Sequence, residues 1–232
     1  MGAEDPSRYE EDQIEFFGYM HSHLMSRRSD VAAGVDVPED LLTLIASGSD
    51  ADGQLLSEAD AQSVLMQLLV GGNETTTSLI TNLLWRLLES PNQWQAMQED
   101  ATLIEPAIEE SLRFDPPVLG LYRSTTRDVS LHDVLIPKGS KVFINYAAAN
   151  RDSALFNDPN RFDITRSTRE RKRHMSFGLG THFCLGAPMA RLETEIAFQA
   201  IMQRLPNLTL IGPGQRIAPF FLWGRRKLPV QS

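Results

Sequence analysis

The sequence predicts a mainly α-helical fold with a minor β part. Three observations carry that expectation. Apolar residues recur at helical spacing through most of the first half of the chain. One such pattern, from Ser57 to about Glu89, runs without a break; at 1.5 Å per residue it spans roughly 48 Å. From residue 118 the pattern changes to short alternating runs around a "PKG" turn, which reads as strands.

The elements follow in order. Tyr9, Ile14, Phe17, Met20 and Leu24 mark one face of a first helix ending near Ser29. "PEDLLTLIAS" predicts a short second helix, and "GSDADGQ" a loop. "SEAD" supplies a capping N-terminus for the long helix, and Ser90-Pro91 closes it while opening the next. The length and apolar character of the long helix place it through the middle of the fold. Helices near 91–100 and 105–114 come next. "DPP" stops the second, because proline cannot continue a helix and restricts its predecessor. A polar meander fills 150–176. Helix returns after Gly186, and the tail reads as strand, turn, strand.

Composition narrows the function classes. The chain has 232 residues, a formal net charge of −8 and a single cysteine. An acidic chain without a sustained basic stripe is a poor nucleic-acid binder. One cysteine cannot form an internal disulfide, and a reducing, cytoplasmic compartment fits. Neither a leader pattern nor an apolar run of membrane-spanning length is expected.

The cysteine lies in "FGLGTHFCLG", Phe177 to Gly186. A lone cysteine is ordinarily a small buried hydrophobe. Here Gly178, Gly180 and Gly186 permit backbone shapes closed to other residues and let the chain approach a flat object. A helix starts just beyond Cys184, and a helix start favours thiolate over thiol. A thiolate is a nucleophile or a metal ligand. No second cysteine is present for a zinc knuckle or a thioredoxin-type site.

This stretch resembles the haem-binding loop of the cytochrome P-450 family, F-G-x-G-x-H-x-C-x-G, at all six fixed positions. A chance match has a probability on the order of 10⁻⁸ per start position. The resemblance implies Cys184 as thiolate ligand to the iron of haem b (iron protoporphyrin IX), with Phe177 and Gly178 in the ligand loop. It implies His182 on a haem propionate, as in soluble bacterial members.

"LLVGGNETTTSLI" on the long helix resembles the family's oxygen-activation motif at Gly71, Gly72, Glu74, Thr75 and Thr76. Its chemistry is intelligible from the residues. Each mid-helix glycine costs roughly 1 kcal/mol against alanine and leaves a dent free of side chain. Glu74 and Thr75 set an acid and an alcohol beside it, a pair able to deliver protons. Glu110 and Arg113, at i,i+3 on one helix face, match the family's structural E-x-x-R pair, with Arg161 as the expected third member. Arg123 matches its propionate-binding arginine.

The resemblance covers nearly all of residues 1–232 as one partial domain, the C-terminal half of a typical member. It implies a haem-thiolate monooxygenase inserting one oxygen atom from dioxygen into a hydrophobic small molecule. Electrons would come from NAD(P)H through a ferredoxin or flavodoxin-type donor, with no nucleic acid and no membrane involved. Apolar pocket residues would be Val70, Gly71, Val118, Leu119, Leu121, Phe220, Phe221 and Leu222. The donor would dock on "RSTRERKRH", Arg166 to His174. The competing expectations are a remnant that holds haem weakly or not at all, and peroxide-driven oxidation at the same site. A half-length chain is expected to expose apolar surface, with poor solubility or dimerisation as the consequence.

Overall fold

The computed structural model describes the backbone of residues 6–232 and side chains from residue 10, so the side chain of Tyr9 lies outside the described residues. The mainly helical architecture with small sheets is as expected. The chain divides into two compact units, Met1–Gly71 and Gly72–Ser232.

The first unit holds helix α1 (Pro6–Ala32), helix α2 (Leu41–Ala46) and the start of helix α3 (Glu58–Glu89). Helix α1 runs three residues beyond the predicted end at Ser29. Met20 and Leu24 pack against Ile45, Ala46, Ala61 and Leu65. Arg28 ties α1 to its neighbours by donating to the carbonyls of Ala46 and Leu56, at 3.2 and 2.6 Å. Asp40 caps α2 by accepting from the Thr43 amide at 2.8 Å. Ser57 caps α3: its Oγ accepts from the Asp60 amide at 3.1 Å and donates to the Asp60 carboxylate at 2.6 Å.

The second unit holds the rest of α3, then helices α4 (Pro91–Glu99) and α5 (Ile104–Phe114). Strands β1 (Gly120–Ser124), β2 (Val129–Leu131), β3 (Val134–Ile136) and β4 (Lys141–Asn145) follow, then helices α6 (Tyr146–Ala149), α7 (Thr168–Arg171) and α8 (Ala187–Arg204). Strands β5 (Thr209–Leu210), β6 (Gln215–Arg216), β7 (Arg225–Lys227) and β8 (Val230–Gln231) form the tail. The strands pair only as antiparallel couples: β1 with β4, β2 with β3, β5 with β8, β6 with β7. Leu79, Leu83 and Leu87 of α3, Trp94 and Met97 of α4, Ile104, Ala107, Ile108 and Leu112 of α5, and Phe198 of α8 form one core. Within this unit α3 is not buried all round. Ser78, Leu79, Asn82, Leu83 and Leu87 are buried at helical spacing, whereas Gly72, Asn73, Glu74 and Thr77 are exposed.

Candidate functional site

The cysteine loop is closed by its own backbone. The Cys184 amide donates to the Phe177 carbonyl at 2.9 Å, Phe183 to Gly180 at 3.0 Å and Gly178 to Met175 at 2.8 Å. Gly178 and Gly180 adopt φ of +70° and +72°, which L side chains rarely tolerate. Gly186 does not need that freedom: its φ is −78°. A Cβ there would stand 3.8 Å from the Cys184 sulfur, an ordinary contact, so neither backbone angle nor space demands glycine at this position.

The loop delivers an exposed thiol. Around it Leu179, Phe183 and Leu185 are exposed, Leu185 to 86%. A free exposed sulfur on a loop with exposed apolar side chains and a turn of left-handed glycines fits a large flat apolar ligand with a metal at its centre. His182 is exposed on the short 3₁₀ turn Gly180–His182. Arg123 lies on β1 opposite Val142 of β4, exposed, and among the described residues donates to the Tyr122 carbonyl at 2.9 Å. Neither has a carboxylate partner among the described residues, so the guanidinium and the imidazole N–H are both available to an anionic group. The donor set therefore fits a haem: one sulfur ligand, a guanidinium and an imidazole as hydrogen-bond donors for carboxylates, and exposed apolar side chains in the same loop. Tyr146, the first residue of α6 after β4, places its hydroxyl 3.9 Å from where a Gly178 Cβ would sit, so the loop adjoins the start of α6.

Phe177, Gly178, His182 and Cys184 are thus gathered in one loop. Gly72, Glu74 and Thr75 form a second group on α3, in the same unit. A Cβ on Gly72 would meet nothing within 4 Å, so the dent is open space. Glu74 is exposed, Thr75 half-buried and Thr76 buried.

The expected E-x-x-R pair is present and fully buried. Arg113 Nε and Nη2 each stand 2.7 Å from a Glu110 carboxylate oxygen. Its remaining donors reach the carbonyls of Asn150, Pro159 and Arg161. The third member is Arg166, not Arg161. Arg166 Nε donates to Glu110 at 3.1 Å, while the Arg161 side chain is exposed and pairs with Asp163 at 3.2 Å. The turn in which the Arg161 amide bonds the Asp158 carbonyl, with Asp158 at φ +43°, presents the Arg161 carbonyl inward to Arg113 and Arg166.

Sequence reasoning missed the neighbour, Glu109. Arg191 donates to both its oxygens at 2.6 and 3.1 Å, and His174 shares one at 3.1 Å. Two consecutive glutamates in "EESLR", both inward, were the available signal. Burial pushes the Glu109 carboxyl up, but the hydrogen bonds from His174 and Arg191 outweigh it and bring it down to about 2. Its contribution is therefore complete above about pH 4.5, its ordinary value, and is lost as the pH falls toward 2. Thermal melts between pH 7 and 3 should show the native chain losing on the order of 2–3 kcal/mol that Glu109→Gln does not lose again. Parallel melting curves would refute that assignment.

The apolar segments after "DPP" and in the terminal turn are joined to each other. Val118 bridges Leu222, the Leu119 amide donates to the Phe221 carbonyl at 2.8 Å and the Trp223 amide to the Pro117 carbonyl at 2.8 Å. Asn82 of α3 donates to the carbonyls of both Asp115 and Trp223, at 3.1 and 2.9 Å. Gly224 is required at the end of this turn, since a Cβ would lie 2.1 Å from Ser78 Oγ. Leu121, Phe220 and Phe221 are exposed, Val118, Leu119 and Leu222 half-buried; Val70 and Gly71 belong to the first unit. A shallow concavity of about 500 Å³ beside Gln93, Arg161 and Ile164 shares none of these residues.

The basic stretch Arg166–His174 is not one solvated patch. Arg166 and His174 are buried in the two carboxylate clusters, and Arg171 pairs with Glu105 at 3.1 Å. Arg169, Lys172 and Arg173 remain exposed. No helix among the described residues is long and apolar enough to cross a membrane.

Comparison with known proteins is consistent across sequence and structure. The family model for cytochrome P-450 matches residues 4–210. The chain is 40% identical over 216 residues to cytochrome P-450 monooxygenase PikC of Streptomyces venezuelae, covering 92% of this chain and 50% of that protein. It is 38% identical over 183 residues to the biotin biosynthesis cytochrome P-450 of Bacillus subtilis, covering 79% of this chain and 45% of that one. The solved structure of a cytochrome P-450 from Chondromyces apiculatus superposes with a TM-score of 0.88 at 36% identity, over 97% of this chain and 56% of that one. The chain spans about half the length of the curated relatives it matches.

Proposed function

From the premise that this chain belongs to the cytochrome P-450 family, we propose that it carries the haem-binding and oxygen-activating residues of a haem-thiolate monooxygenase, within a partial domain over residues 1–232. The family is a haem family, and the cofactor proposed here is haem b. The observation that carries this reading is the exposed Cys184 thiol, on a loop closed by the bond from the Cys184 amide to the Phe177 carbonyl and carrying exposed Leu179, Phe183 and Leu185.

In this reading Cys184 donates its thiolate to the iron. His182 and Arg123 hold the propionates by charge-assisted hydrogen bonds. Phe177 supports the loop from behind, and Gly178 keeps the backbone close enough for the macrocycle. Thiolate-ligated haem, when bound, supplies activation of dioxygen and transfer of one oxygen atom to a C–H bond. The chain's own residues manage protons and space. Glu74, exposed, takes protons from solvent, and the Thr75 hydroxyl hands them on beside the space that Gly72 leaves open. That acid–alcohol pair favours dioxygen over peroxide as oxidant. Leu121, Phe220 and Phe221 give a hydrophobic small molecule its apolar contacts.

Electrons reach the site from NAD(P)H through a ferredoxin or flavodoxin-type donor, whose acidic surface meets Arg169, Lys172 and Arg173. Reversing the charge of these three should slow reduction at least tenfold at low salt and little at high salt. A rate unchanged at low salt would remove the patch from the docking site. Arg171 is unsuitable for that test, because its pairing with Glu105 is structural.

The experiment that tests the function is the absorption spectrum of the haem-supplied chain, reduced and treated with carbon monoxide. A strongly red-shifted Soret band is expected from thiolate ligation. The alternative reading is a chain that retains the motifs without holding haem. Absence of that band would establish it.

A further inference from the structure

We propose that Glu109, Arg191 and His174 are positioning residues that set the cysteine loop through the Phe177 ring; this deepens the haem-thiolate reading and rests on it. The three come from separate parts of the second unit: Glu109 from α5, Arg191 from one turn into α8, and His174 from the segment leading into the loop. The Glu109 carboxylate is the common anchor. Arg191 grips it with Nε and Nη2 at 2.6 and 3.1 Å, and His174 Nε2 stands 3.1 Å from the same Oε2 that Nη2 uses.

Both cluster partners lie against one ring. The Arg191 guanidinium carbon is 4.6 Å from the Phe177 centroid, and the His174 ring 6.0 Å from it at 54°. The Phe177 carbonyl in turn accepts the Cys184 amide at 2.9 Å. The entry of the loop at Phe177 and its exit into α8 are therefore referenced to a single buried carboxylate. The loop's own hydrogen bonds fix its shape. The cluster fixes where that shape stands relative to α5, and α5 is part of the core.

The charge arrangement also bears on a thiolate. His174 Nδ1 accepts the Ser176 amide at 3.2 Å, so Nε2 carries the proton offered to Glu109. Within the cluster the Glu109 carboxylate and the Arg191 guanidinium form a pair of opposite charge. Neighbouring carboxylates are committed elsewhere: Glu105 to Arg171, Glu110 to Arg113 and Arg166. Replacing the Glu109 carboxylate by an amide thus leaves the Arg191 guanidinium uncompensated beside Phe177. An uncompensated cation against the Phe177 ring of the ligand loop favours the reduced iron.

The test is site-resolved amide hydrogen exchange on the full chain without haem, in Glu109→Gln and Arg191→Lys. Exchange at the Cys184 amide should accelerate at least tenfold in Glu109→Gln, while Leu83 and Leu87 in α3 keep their protection. Arg191→Lys keeps the charge but loses the planar group over Phe177, and should give a smaller acceleration. Cys184 exchange within twofold of the native chain would overturn the proposal. So would a uniform acceleration at every amide, which signals global destabilisation alone. On haem-loaded protein the reduction potential should shift positive in Glu109→Gln and stay in place in Arg191→Lys; equal potentials in all three would also overturn it. A native chain that gives no thiolate-ligated band defeats the haem reading, and the exchange experiment on haem-free protein still decides the positioning role.

Discussion

Replacing Cys184 by serine should abolish the red-shifted Soret band of the reduced, carbon monoxide-treated chain and bring substrate oxidation down to background, while leaving the fold intact. Serine fills nearly the same volume, but its hydroxyl stays protonated at neutral pH and cannot replace a thiolate. The loop does not depend on the sulfur for its shape. Its closing bonds run between backbone groups, from the Cys184 amide to the Phe177 carbonyl and from the Ala187 amide to the Cys184 carbonyl. Because the side chain is exposed, the change in folding stability should stay within about 0.5 kcal/mol. Far-ultraviolet circular dichroism and a urea melt check the second half of the expectation, and the spectrum checks the first. A Cys184→Ser chain that retained the red-shifted band would show that the ligand is not this residue, and with one cysteine in the sequence the thiolate reading would fall with it.

How much of this was legible beforehand depends on how local each feature is. The cysteine loop was readable because its chemistry is carried by ten contiguous residues, and its closure by bonds between near neighbours. Helix α3 was readable from periodicity and from the Ser57 cap, to within one residue at its start. The buried ion clusters were not. Glu110 finds Arg166, and Glu109 finds Arg191, across long stretches of chain whose course no periodicity reveals. In the meander two arginines of the same type compete for one carboxylate. The winner is chosen by a turn at Asp158 with a positive φ in a non-glycine residue, for which composition gives no sign. Gly186 shows the converse error: a glycine inside a glycine-rich motif was expected to need unusual backbone angles, yet its φ is −78° and a Cβ there would make only an ordinary contact with the sulfur. The basic run Arg166–His174 likewise looks continuous in sequence, yet burial divides it between structural ion pairs and an exposed remainder.

Arg113→Met should destabilise the chain by about 3–5 kcal/mol, the usual cost of removing one partner from a buried ion pair. For a chain of this length that corresponds to a fall in melting temperature on the order of 10 °C. Methionine matches much of the volume, so packing is not the main loss. The guanidinium is fully buried, as is Glu110, and it donates to the carbonyls of Asn150, Pro159 and Arg161 as well as to the carboxylate. In the variant these acceptors lose a donor with no water to replace it, and Glu110 keeps only Arg166 and the Asp163 amide. Arg113→Lys should recover little, since one ammonium cannot span a bidentate carboxylate and three carbonyls. A loss below about 1 kcal/mol in a urea melt of Arg113→Met would show that the cluster is not what holds α5 to the meander. The consequence for the site follows from Asn150. Its carbonyl accepts from Arg113, its Oδ1 accepts the Met175 amide, and its amide donates to Ser176 Oγ at the entry to the cysteine loop. Arg113→Met should therefore lose haem together with the fold, and Cys184→Ser should lose the thiolate band with the fold retained. Melting curves recorded on the same samples as the spectra separate a support from a ligand.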